Sequence, residues 1–121
     1  MVRFRISVCV AAFMAGSLFG TMASADQIYT SAQLLEECSS ENRENYFRCV
    51  GYLSGVFDYV ANLDQMYPDN KVKLCYYPDR NVPELELTIF FYQLMQDQPQ
   101  FLNLPASVGA QAAFVSQYGC R

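Results

Sequence analysis

Few residues in this chain are suited to catalysis. It has no histidine, so neither a Ser-His-Asp nor a Cys-His constellation can be assembled. Carboxylates are what remains for acid–base work. Glu36 with Glu37, and Glu84 with Glu86, stand close in sequence. Glu84 and Glu86 fit the first turn of a helix, where a negative charge meets the positive end of the helix dipole. Glu36 and Glu37 read as outward, solvated residues of a short helix. Asp58 interrupts an apolar run, either as an exposed position or as a hydrogen-bonding partner of a loop. No glycine-rich loop able to cradle a phosphate is present. The expectation is a protein that is not an enzyme and needs no cofactor.

The cysteines point to structure rather than catalysis. The first 25 residues, with Arg3 and Arg5, an apolar run and a closing Ala23-Ser24-Ala25, predict a cleaved secretory signal peptide. The apolar run is shorter than the roughly 20 residues that span a bilayer. Removing it takes Cys9 away and leaves Cys38, Cys49, Cys75 and Cys120 in one domain, 26–121. An even number of cysteines in a small exported chain predicts two disulfides. Zinc is the rival, but there is no Cys-x-x-Cys pair and no histidine to complete a site. The same segment leaves six basic against twelve acidic residues, a net charge of −6. Nucleic acid is excluded as a partner by that sign.

These residues must be positioned by helices. Thr30 and Gln33 have the spacing of a capping box for a first helix over 31–38. A second runs from about 43 to 65, because Tyr46, Val50, Leu53, Phe57 and Val60 recur at the helical period. The segment 66–81 reads as a loop with turns at "YPDN" and "YPDR". Within it, "KVKLCYY" is the only stretch that alternates like a strand. A third helix starts at Pro83 with Leu87, Phe90, Phe91, Leu94 and Met95 as its apolar face, and ends near Gln98. A fourth runs from Pro105 to about Tyr118, with Val108, Ala112, Ala113 and Val115 assigned to its inner face and Gly119 at its end. The predicted fold is all-α, a small disulfide-stapled bundle of four main helices. If successive helices lie antiparallel, Cys75 meets Cys120 and Cys38 meets Cys49.

"CVGYLSGVFDYV" (49–60) places Gly51 and Gly55 one turn apart on one helix face. Each glycine costs about 1 kcal/mol relative to alanine inside a helix. Close approach of another backbone is the usual compensation. Two partners are open: the small residues of the fourth helix (Gly109, Ala112, Ala113), or a second copy of the chain across a dimer seam.

"LLEEC" (34–38), "CVGYLSGVFD" (49–58), "LCYYPD" (74–79) and "QPQFLNLPASVGAQAAF…GC" (98–120) form an ordered set. With it the chain resembles the Rap1a/Tai family of type VI secretion immunity proteins. It departs from the family's pattern at "RNVPELE", where a "VT" type turn is usual, and at "QPQFLNLP", where a histidine-bearing version is commoner. The resemblance implies a periplasmic, all-helical, often dimeric protein that binds and sterically blocks a peptidoglycan amidase. The inhibitory contacts are not transferable, so the binding residues come from side-chain chemistry alone. Tyr67, Tyr76, Tyr77 and Arg80, in the loop 64–81, are the types favoured as interface anchors; the tyrosines could instead cover the core beside Cys75. Three other readings stand beside this one, the first an orphan binding protein of the same family without a toxin. An acid-stress chaperone of the periplasm would share the export, the helices and the staples. A small-ligand or lipid carrier would use Phe90, Phe91 and Tyr92.

Overall fold

The computed structural model describes residues 28–71, 73–75 and 82–120; the expected signal segment, and Tyr76, Tyr77 and Arg80, lie outside these. Four α-helices follow in order: α1 (Ser31–Cys38), α2 (Arg43–Met66), α3 (Glu84–Asp97) and α4 (Ala106–Tyr118). The fold is all-α, as the helical periodicity requires. Thr30 caps α1 through the capping box with Gln33. Asn42 caps α2 by accepting from the Glu44 and Asn45 backbone N–H groups. Pro83 and Pro105 stand at the N-caps of α3 and α4, where a missing N–H costs nothing. A short 3-10 helix (Pro99–Asn103) joins α3 to α4. No helix among the described residues is long and apolar enough to cross a membrane.

The core forms where all four helices meet. Leu34, Leu53, Phe57, Leu87, Phe91, Leu94, Met95 and Phe114 are buried in it. Phe57 anchors an aromatic cluster, with edge-to-face contacts to Phe114 at 5.4 Å and to Tyr118 at 5.6 Å; such pairs add to the burial of their area. The inner face of α4 differs from expectation. Ala106, Gly109, Ala110, Ala113 and Phe114 point inward, whereas Val108 and Val115 are exposed. The reason is that α4 contains no charged residue, so its periodicity does not distinguish inside from outside.

Gly51 and Gly55 also differ. Both are exposed on α2, and a Cβ built on either would meet nothing within 4 Å. The expected packing of this pair against α4 is absent. Close approach occurs instead at Gly109, where a Cβ would collide with the Ser31 hydroxyl and lie 3.2 Å from the Met95 methyl. Ser31 is fully buried, and its hydroxyl donates to the Pro105 carbonyl at 3.4 Å. Only hydrogen fits at residue 109 because α1 and α4 touch there.

Two cross-links hold the ends of the bundle. Cys38 and Cys49 are joined, as are Cys75 and Cys120, each pair with Cα atoms 5.1 Å apart. Around the second bridge, Cys75 N–H donates to the Tyr118 carbonyl at 2.6 Å and Cys120 N–H to the Lys73 carbonyl at 3.2 Å. The alternating stretch near Cys75 thus yields one isolated antiparallel bridge, Leu74 with Gly119. A second bridge, Thr30 with Pro105, ties the start of α1 to the start of α4. There Ser31 N–H donates to the Leu104 carbonyl and Ala106 N–H to the Tyr29 carbonyl.

Candidate partner-binding surface

Five residues along α2 follow one another at a spacing of four: Gly51, Gly55, Tyr59, Leu63 and, at the helix end, Tyr67. That spacing places them on one ridge of the helix. The ridge has no side chains in its first half and bulky ones in its second. Leu63 turns inward and is 8% exposed, while Tyr59 and Tyr67 stand out at 51% and 60%. Beside them lies Gln111 of α4, and Asn70 closes the end where the chain turns, its N–H donating to the Tyr67 carbonyl. Together Tyr59, Leu63, Tyr67, Asn70 and Gln111 line an open cleft of about 460 Å³. The chemistry of these described lining residues is aromatic, aliphatic and amide.

Of the tyrosines and arginine singled out in the sequence, Tyr67 is therefore an exposed wall of a cleft. Tyr59 and Gln111 were missed because each is separated from Tyr67 along the chain. The i, i+4, i+8 spacing of Tyr59, Leu63 and Tyr67 was the signal that could have found the first of them.

A second depression, of about 330 Å³, is lined by Tyr29, Gln33, Glu36, Glu37, Ser40, Asn45 and Arg48. It is polar, and its groups satisfy one another. Tyr29 Oη donates to Glu37 Oε2 at 2.8 Å. Arg48 lies 3.6 Å from Glu37 Oε1 and also donates to the Asn45 side chain. Asn45 Nδ2 in turn donates to Ser40 Oγ at 3.3 Å. Partial burial, then the hydrogen bond to Glu37, push the Tyr29 phenol well above its ordinary value, so it stays a donor. This network clasps α1 to α2 next to the Cys38–Cys49 bridge. Glu37 is thus half-buried and bonded, not the solvated residue expected, because Tyr29, just ahead of α1, donates to it. Glu36 remains exposed.

The other acidic pair separates too. Glu84 is exposed, whereas Glu86 accepts a 2.6 Å hydrogen bond from the Tyr118 hydroxyl. Asp58 is exposed on α2, and its backbone carbonyl accepts from Asn62. The aromatic trio of α3 is divided: Phe91 is buried, Phe90 packs edge-to-face on Tyr118 at 5.5 Å, and Tyr92 is 48% exposed.

The family model of the Rap1a immunity proteins matches residues 30–120. No curated protein and no solved structure matches the chain.

Proposed function

The chain belongs to the Rap1a immunity protein family, and from that membership we propose that it binds a secreted effector protein and blocks it sterically. The family match over nearly all of the described residues carries this reading. The finer proposal is a periplasmic protein that neutralises a type VI secretion effector, a peptidoglycan amidase. Two disulfides suit an oxidising compartment, and the reading of residues 1–25 as a signal peptide supplies the route there. The protein acts without chemistry of its own: its role is to occlude. Tyr67, with Tyr76, Tyr77 and Arg80 of the same segment, is proposed to contribute to the effector contact. Gly51 and Gly55, on the open face of α2, are proposed for a seam between two copies, since their backbone accepts close approach.

The test is capture. The immobilised protein is exposed to an extract of its own organism at neutral pH. Recovery of one peptidoglycan hydrolase in stoichiometric amount is the expected result. Capture only of many denatured proteins at low pH would overturn it in favour of a chaperone.

A further inference from the structure

The two disulfides sit in different surroundings. Cys49 is fully buried, and Cys38 beside it is half-buried. Cys75 and Cys120 are both exposed, so a reductant reaches their bridge from solvent without any opening of the core. Exposed bridges are the labile, regulatory kind. What this bridge holds is also unequal on its two sides. The end of α4 has anchors of its own. The Tyr118 hydroxyl donates to Glu86 Oε1 at 2.6 Å, and its ring stands edge-to-face on Phe57 and Phe90 at 5.6 and 5.5 Å. Phe114, one turn earlier, is fully buried. Residues 73–75 are held more lightly. They lie against α4 through half-buried Leu74, the Cys75 N–H bond to the Tyr118 carbonyl and the Cys120 N–H bond to the Lys73 carbonyl.

We propose that the Cys75–Cys120 bridge is a redox-operated latch. Closed, it holds the segment after α2 against the end of α4; opened, it frees that segment while the four-helix bundle stays folded. In the opening step a thiolate of a dithiol reductant attacks one sulfur of the bridge. The S–S bond breaks, a mixed disulfide forms, and the other cysteine leaves as a thiolate that takes up a proton. The reductant's second thiolate then displaces the remaining cysteine, which is protonated in turn. The protein gains two electrons and two protons, and the reductant becomes a disulfide. The two backbone hydrogen bonds that remain lie at the surface, where water competes for them. Tyr67 belongs to the same segment, so freeing its far end removes ordering that favours binding. The latch thereby regulates the effector contact, a consequence that rests on the effector-binding reading.

The experiment adds graded dithiothreitol to the folded, isotope-labelled protein at neutral pH and follows amide hydrogen exchange residue by residue. Mass-shift alkylation with peptide mapping assigns which cysteines have opened. Cys75 and Cys120 are expected to react first, and their amides should then exchange about tenfold faster or more, as local opening allows. The amides of Leu53, Phe91 and Phe114, on α2, α3 and α4, should keep their protection. Cys75→Ser combined with Cys120→Ser should show the same pattern without reductant. Opening of Cys38–Cys49 first, unchanged exchange at 75 and 120 once their bridge is open, or lost protection at Phe114 in the reduced parent or the double variant would each overturn the proposal. In the capture assay the reduced protein should recover several-fold less hydrolase, and equal recovery by both forms would overturn the regulatory role. The exchange readouts come from the protein alone. Failure to capture any hydrolase leaves them unchanged, so the function and the latch fail separately.

Discussion

Three glycines behave differently because of what surrounds them. At Gly51 and Gly55 an added methyl meets open space, so each glycine costs helix stability without any packing return inside the chain. Gly51→Ala and Gly55→Ala should each raise the free energy of unfolding by about 0.5–1 kcal/mol, read from urea denaturation. Gly109→Ala should lower it by about 1–3 kcal/mol, since Ser31 and Met95 already fill that space. Equal effects at all three positions would contradict this assignment. The glycine spacing was legible in the sequence, but which glycine is crowded was not: that depends on how α1 crosses α4, which a sequence period does not encode. Tyr29 offers a second residue-scale test. Its ordinary pKa is 10.0, and burial with the Glu37 hydrogen bond raises it in the folded chain. Below that ordinary value the phenol is protonated in both states. Above it the unfolded chain releases the proton and the folded chain resists, so stability falls as pH rises. The denaturation midpoint of Tyr29→Phe should therefore fall less than that of the parent above pH 10.

At the scale of elements, boundaries follow local chemistry and facing follows packing. Thr30, Asn42, Pro83 and Pro105 start the four helices for reasons each carries in its own side chain, which is why the starts could be read within a residue. The inner face of α4 could not, because small and apolar residues surround that helix. Phe114, fully buried, is its true anchor. The two cross-links also differ in kind. Cys49 is fully buried and part of the core, whereas Cys75, between α2 and α3, and Cys120, after α4, are exposed. Replacing Cys75 and Cys120 by serine should cost about 4 kcal/mol, the entropy of freeing a loop of 45 residues. Replacing Cys38 and Cys49 should cost more than its separation of 11 suggests, because a polar atom then enters the core. Mild reductant should open the Cys75–Cys120 bridge first, which mass-shift alkylation under native conditions would reveal. Prior reduction of the Cys38–Cys49 bridge would contradict that exposure-based order.

The whole molecule is a small bundle whose charge is unevenly distributed. Acidic residues are spread over α1, α2, the loops and the first turn of α3, and from residue 87 to 120 only Asp97 is charged. Family membership supplies the proposed role. The four-helix architecture was readable from periodicity, and the family from an ordered set of short motifs. The cleft was not, since its residues come from α2, the turn after it and α4, brought together only by folding. The most direct measurement takes the hydrolase captured from the native extract and follows its release of peptides from peptidoglycan as the protein is added. The account predicts that activity falls in proportion to added protein and vanishes at a stoichiometric ratio. Full hydrolysis in the presence of excess bound protein would contradict it.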